Sequence, residues 1–222
     1  MKAMILAAGR GERLRPITDS LPKPMLEVRG KPLIAWHVER LASAGFREIV
    51  INVSHLGKLI ESFIGDGSRW GLAVSWSREN APLETAGGIA QARMLLGEPP
   101  FALVNADVFC EYPLADLKSV RLQGRLGHII LVPNPPFRRQ GDFSLCQGSV
   151  GNLASPRYTY SGIGVIDPRI VDGIEAGAKA PLGPLLKSAA QAGQLGGEVY
   201  AGPWNDVGTP ERLIELNRTR AS

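Results

Sequence analysis

Hydrophobic and polar positions along this chain alternate between two kinds of segment. Short runs dominated by apolar residues, at positions 1–6, 48–53, 72–77, 101–105 and 128–132, have the length and content of buried strands. Between them the apolar positions recur at helical spacing. In 32–44, Leu33, Trp36 and Leu41 return on one face, Pro32 suits a first helical turn and Gly45 marks the stop. The segments 56–64, 87–96 and 114–123 also read as helices. Strand and helix in alternation predict an α/β fold: a single doubly wound, mostly parallel sheet with crossover helices. Residues 133–160 break this rhythm with Pro133, Pro135, Pro136, several glycines and a short alternating run at 143–145, and they predict loops around a small antiparallel segment. A strand at 158–166, helices near 168–175 and 184–193, a strand at 198–200 and a last helix from Pro210, capped by Thr209, complete the pattern.

Length and composition narrow the picture only a little. A chain of 222 residues with 44% hydrophobic content can bury a substantial core, and one domain spanning 1–222 is the expectation. No apolar run approaches the roughly 18 to 20 residues that span a bilayer, and the run after Lys2 is too short for a signal-peptide core. A soluble, cytoplasmic protein with no membrane partner is expected. The two cysteines, Cys110 and Cys146, lie far apart without metal-ligand neighbours and read as free thiols. A net charge of +4 with scattered basic residues does not form the dense basic, aromatic-interleaved stripe of a nucleic-acid binder. His37, His55 and His128 share no spacing and read as structural.

Chemistry is concentrated at the start of the chain. The first apolar strand runs into Ala7-Ala8-Gly9-Arg10-Gly11-Glu12-Arg13-Leu14-Arg15, a loop whose small residues allow backbone N–H groups to approach phosphate oxygens. Gly9 and Gly11 match the first two glycines of the dinucleotide fingerprint, but Leu14 stands at the third, and no Gly-Lys-Ser/Thr ending follows. Lys23, between Pro22 and Pro24, adds a compact ammonium in a restricted backbone. Together these read as a polyphosphate cradle of neither familiar kind. Asp107, just past the strand at 101–105, is a carboxylate suited to Mg²⁺, which takes one or two protein oxygens and completes its shell with phosphate and water.

The stretch 6–15, Pro22-Lys23-Pro24-Met25-Leu26, Gly30-Lys31-Pro32, Asn105-Ala106-Asp107 and Trp204-Asn205-Asp206-Val207-Gly208-Thr209-Pro210-Glu211 together resemble the signature of the sugar-1-phosphate nucleotidyltransferases. The resemblance implies a Rossmann-like nucleotidyltransferase fold with a nucleotide-binding part over about 1–110, a sugar-binding part over about 111–222 containing a small antiparallel segment, and no C-terminal left-handed β-helix. It also implies two small-molecule partners, a nucleoside triphosphate and a sugar 1-phosphate, and Mg²⁺ held by Asp107 and Asp206. In this scheme the reaction needs no protein nucleophile, because the attacking phosphate is already anionic. Arg13 and Lys23 are the expected catalytic residues, Arg13 on the leaving phosphates and Lys23 on the α-phosphate or the incoming sugar phosphate. Ala8, Gly9, Gly11, Glu12, Asn80, Thr85 and Gly88 are expected to complete the nucleotide site, and Asn105 and Asp142 to meet the sugar.

The Glu84-Thr85-Ala86-Gly87-Gly88 loop and the Tyr160-Ser161-Gly162-Ile163-Gly164 strand are most similar to the uridylyltransferase branch, with UTP and N-acetylmuramic acid 1-phosphate as expected substrates in peptidoglycan recycling. Many relatives carry a Glu-Lys pair just before the strand at 158, where this chain has Ser155-Pro156-Arg157; that departure argues against a glucose-type sugar. Mannose- or heptose-1-phosphate guanylyl transfer is the nearest alternative, and a non-catalytic sugar-nucleotide-binding regulatory subunit is the alternative of another class. Monomer and dimer both stay open.

Overall fold

A computed structural model describes residues 1–153 and 155–218. The strands are β1 (Ala3–Leu6), β2 (Glu27–Val28), β3 (Lys31–Pro32), β4 (Glu48–Val53), β5 (Ala73–Arg78), β6 (Phe101–Asn105), β7 (Val108–Cys110), β8 (Gly127–Val132), β9 (Phe143–Cys146), β10 (Ser149–Gly151), β11 (Arg157–Ile166), β12 (Leu195–Val199) and β13 (Trp204–Asp206). The α-helices are α1 (Leu33–Ser43), α2 (Gly57–Ile64), α3 (Glu84–Gln91), α4 (Arg93–Leu96), α5 (Leu182–Gln191) and α6 (Pro210–Arg218). Nine strands share one sheet in the order β5-β4-β1-β6-β11-β8-β12-β10-β9, while β2-β3 and β7-β13 form separate two-stranded ladders.

Alternation along the strands explains the layers. Ala3, Ile5, Ile49, Ile51, Ala102 and Val104 meet Ile34, Val38 and Leu41 of α1 and Ile60 and Ile64 of α2 on one face. Met4, Val50, Phe101 and Leu103 meet Ala86 and Ile89 of α3 and Leu186 and Ala189 of α5 on the other. Because both faces are covered, the central strands read as nearly continuous apolar runs. A third cluster of Leu14, Leu26, Val28, Leu33, Phe109, Val207 and Leu216 packs the glycine-arginine loop against β7 and α6. It ties the two ends of the chain together.

The sheet is mixed rather than mostly parallel. β5, β4, β1 and β6 run parallel, as does β12 with β8, but β11 enters antiparallel between β6 and β8. β11 shifts register against β8 between Tyr160 and Gly164, where Gly162 takes φ +83°, and its first residues pair with β9 instead. The pairings β11–β8, β8–β12, β12–β10, β10–β9 and β9–β11 therefore close a ring of five strands. The antiparallel segment expected in 133–160 is part of that ring.

Several boundaries differ from the sequence pattern for local reasons. α3 starts at Glu84 rather than at the glycine pair, because the carbonyl of Ala180 accepts from the N–H groups of both Ala86 and Gly87. β12 begins at Leu195, and a Cβ on Gly197 would stand 2.7 Å from both the Ile129 carbonyl oxygen of β8 and Val150 Cγ2 of β10, so this is a packing glycine and not a turn glycine. The segments 114–123 and 168–175 hold only 3₁₀ helices, Leu114–Ser119 and Pro168–Val171, each ending on an extended residue.

Candidate active site

An open cleft of about 950 Å³ lies beyond the carboxyl ends of β1 and β6, where ligands collect in open α/β sheets. One wall is the loop from Ala7 to Leu14 with Lys23 and Pro24, a second is Ala81, Pro82, Glu84 and Thr85, and a third is Asn105, Ala106 and Asp107; Lys179 and Gly208 reach it from the C-terminal half. The loop keeps its shape through Thr18, whose hydroxyl donates to the Gly11 carbonyl at 2.9 Å, and through the Leu14 N–H, which donates to the same carbonyl at 2.8 Å. Ala8, Gly9, Gly11, Glu12, Arg13, Lys23, Thr85, Asn105 and Asp107 all line this cleft.

Charge in the cleft is arranged in pairs. Lys23 is almost fully buried and donates from Nζ to Asp107 Oδ2 at 2.7 Å, which spans 84 positions of sequence. One oxygen of Asp107 is used by that contact. On the opposite rim Lys179 lies 3.3 Å from Glu84, a residue held at φ +60°. Arg10 and Arg13 are exposed and carry no ion pair among the described residues, whereas Arg15 turns away to Asp19 at 3.2 Å. Asn105 contributes a buried Oδ1 with no hydrogen-bond partner among the described residues, an acceptor that burial leaves waiting for a donor.

Four expected site residues lie elsewhere. Asn80 is exposed and off the cleft, because its neighbour Glu79 takes the inward position and accepts from Asn52 Nδ2 at 2.7 Å and from the Leu83 N–H at 2.9 Å. Gly88 is buried behind that pair; a Cβ there would stand 2.6 Å from Asn52 Nδ2 and 2.8 Å from Glu79 Oε1, so its missing side chain makes room for protein and not for a base. Asp142 accepts from Arg138 at 3.1 Å and from the Tyr160 N–H at 2.9 Å, which spends it on the β9–β11 corner. Asp206 is half-buried and ion-paired with Arg212, whose guanidinium stacks on Phe137 with 4.0 Å to the ring centroid. It does not line the cleft, though its neighbour Gly208 does.

The β7–β13 ladder nevertheless brings the backbone at Asp206 and Val207 against that at Asp107 and Val108. Asp206 is opposite Val108, and the Val207 N–H donates to the Asp107 carbonyl at 2.8 Å. Carboxylate oxygens are hard donors of the kind a divalent cation takes; among the described residues no group of three or more His, Cys, Asp or Glu side chains is placed to hold an ion. Trp204 donates from Nε1 to the Ser161 carbonyl at 2.9 Å and packs on the core. Sequence reasoning missed Asn52 and Lys179. Asn52 stands in an apolar strand run and Lys179 in an irregular stretch, so neither carries a spacing signal.

Comparison with known proteins gives a consistent pattern. The nucleotidyl transferase family model matches residues 2–135. The chain is 49% identical over 226 residues to the N-acetylmuramate alpha-1-phosphate uridylyltransferase of Neisseria meningitidis serogroup B, covering 97% of this chain and 96% of that protein. It is 32% identical to mannose-1-phosphate guanyltransferase beta-A of Xenopus laevis over 96% of its own length, and spans 63% of the frog protein. In structure it resembles a Bacillus anthracis protein assigned as a glucose-1-phosphate thymidylyltransferase and crystallised with sucrose, with a TM-score of 0.85, 21% identity, and coverage of 98% of this chain and 94% of the other.

Proposed function

We propose, because this chain belongs to the nucleotidyl transferase family, that it transfers a uridylyl group from UTP to N-acetylmuramic acid 1-phosphate and releases pyrophosphate. The observation that carries this reading is the convergence of the glycine-arginine loop, the Lys23–Asp107 pair and Asn105 on one cleft. Near-full-length similarity to the meningococcal uridylyltransferase supports the choice of base and sugar.

In this reading an oxygen of the sugar phosphate attacks the α-phosphorus, the bond from that phosphorus to the bridging oxygen breaks, and the β- and γ-phosphates leave together. Negative charge grows on the leaving group. Backbone N–H groups of Ala8, Gly9 and Gly11, with the unpaired guanidinium of Arg13 and that of Arg10, meet it there. Lys23, held in place by Asp107, neutralises the α-phosphate. Lys179 brings a cation to the cleft from the C-terminal half and suits the second phosphate-bearing substrate. Asp107, with Asp206 as the second carboxylate, would hold Mg²⁺, which when bound would supply positive charge to the phosphate oxygens. Asn105 offers its unpartnered carbonyl to a sugar hydroxyl or amide. Such an enzyme supplies a nucleotide-sugar in peptidoglycan recycling and works in the cytoplasm, where nucleoside triphosphates are held; no described helix is long and apolar enough to cross a membrane.

Pyrophosphate release with Mg²⁺, measured for UTP, GTP, dTTP and ATP against muramyl, glucosaminyl, mannosyl, heptosyl and glucosyl 1-phosphates, tests the proposal. Release is expected chiefly from UTP with the muramyl compound. Preference for GTP with mannosyl phosphate would move the chain to the guanylyl reading that the frog relative favours. No release from any pair would leave the non-catalytic reading.

A further inference from the structure

Beneath the cleft runs a buried chain of hydrogen bonds that joins its two nucleotide-facing walls. Asn52, on β4 opposite Leu6, is 2% exposed, and Glu79, just past β5, is 6% exposed. The Ala7 N–H donates to Asn52 Oδ1 at 2.8 Å, Asn52 Nδ2 donates to Glu79 Oε1 at 2.7 Å, and the Leu83 N–H donates to Glu79 Oε2 at 2.9 Å. Ala7 opens the phosphate loop. Leu83 immediately precedes Glu84 and Thr85 on the opposite wall.

The chain has a direction. Two donors converge on Glu79, and only a carboxylate accepts at both oxygens. That acceptor fixes which way the Asn52 amide faces, since a flipped amide would set its NH₂ against the Ala7 N–H and its oxygen against the carboxylate. Gly88 leaves the space that the pair fills. No ion pair among the described residues explains Glu79, and a buried carboxylate bound by neutral donors is costly where an apolar side chain would fill the same place.

We propose that Asn52 and Glu79 are positioning residues that lock the phosphate loop and the base-side loop into one frame, so that a nucleoside triphosphate spanning both walls is bound through their hydrogen-bond direction. This rests on the nucleotide reading of the cleft. In the single variant Glu79→Gln the amide can accept from one donor and must point its NH₂ at the other. In the single variant Asn52→Asp two carboxylates face each other. In the double variant every group is satisfied again, with the direction of the middle bond reversed: the introduced amide donates to the introduced carboxylate and still accepts from the Leu83 N–H.

Calorimetric titration of the full chain with UTP and, separately, with pyrophosphate, both with Mg²⁺, tests the frame, with melting temperatures recorded for each variant. Each single substitution is expected to weaken UTP binding by about tenfold or more, and the double variant to return within about threefold of the unsubstituted protein. Glu79→Gln also removes a negative charge from beneath the cleft, so charge alone predicts tighter UTP binding and the frame predicts weaker. Pyrophosphate touches one wall only and should lose less than UTP. Single variants that bind UTP normally, a double variant no better than the worse single one, or equal losses for UTP and pyrophosphate in Glu79→Gln would overturn the proposal. Failure of the unsubstituted protein to bind UTP at all would instead overturn the nucleotide reading, and the frame with it.

Discussion

Gly9 and Gly11 sit two positions apart in one loop and lack side chains for different reasons. Gly11 has φ +65°, and a Cβ there would meet Thr18 Cγ2 at 2.9 Å and Lys23 Cβ at 3.1 Å. Gly9 has no such φ and nothing within 4 Å of its Cβ position. Gly11→Ala is therefore expected to cost about 1–3 kcal/mol of stability in urea unfolding. Gly9→Ala should stay within about 0.5 kcal/mol of the unsubstituted protein while weakening UTP binding, because the added methyl enters the open space that the proposed function gives to phosphate. Equal stability losses in both variants would remove that distinction. Lys23 and Asp107 show how a motif acquires chemistry: their spacing in the chain says nothing of the 2.7 Å contact that aims the ammonium. Lys23→Met should lower kcat by about 10²- to 10³-fold in the pyrophosphate-release assay, the range for loss of one preorganised donor. At the thiols, burial raises Cys110 to about 11 while Cys146 is exposed, so a disulfide reagent should label one cysteine per folded chain at neutral pH and both after unfolding.

Elements place these residues, and α1 carries a cost in doing so. Its His37 is 2% exposed beneath the turn between β6 and β7, and burial lowers it from its ordinary 6.5 to about 4. The unfolded chain takes up the proton first. Stability from this group is complete above pH 6.5, declines as the pH falls toward 4, and is lost below, up to roughly 3 kcal/mol. Chemical denaturation at pH 7, 6 and 5 should show that decline, and His37→Leu should flatten it; an unchanged slope would mean that other groups carry it. The β7–β13 ladder does the opposite kind of work, bringing Asp107 next to a strand that closes 97 positions later. Asp107→Asn is expected to reduce Mg²⁺-dependent turnover by about a hundredfold or more with the far-UV spectrum retained. At this scale the helices of the first half were legible from periodicity, because an amphipathic face repeats every 3.6 residues whatever lies beyond it. The starts of α3 and β12 were not, since a carbonyl from Ala180 and the close packing of Gly197 against its neighbouring strands decide them.

In the whole molecule β11 links the parallel half to the five-stranded ring, pairing with β6, β8 and β9 along its ten residues. Neither half can shed it and keep its own hydrogen bonds. One cooperative transition is therefore expected, with circular dichroism and tryptophan fluorescence coincident in denaturant; two separated transitions would divide the chain into independent units. The glycine-arginine loop, Lys23, Asp107, the strand alternation and the covered parallel core were readable from the amino-acid sequence alone. They depend on local rules: which residues allow φ freedom, which side chains face one side, how many residues make a turn. Tertiary structure decided the rest. It turned Asn80 out and Glu79 in, assigned Gly88 to the Asn52–Glu79 pair, spent Asp142 on a strand corner, set Arg212 on Asp206 and brought Lys179 to the cleft. Most of those outcomes rest on contacts between residues remote in the chain, such as Asn52 with Glu79 and Asp142 with Tyr160, and a distance of that kind is fixed by packing and not by spacing along the sequence.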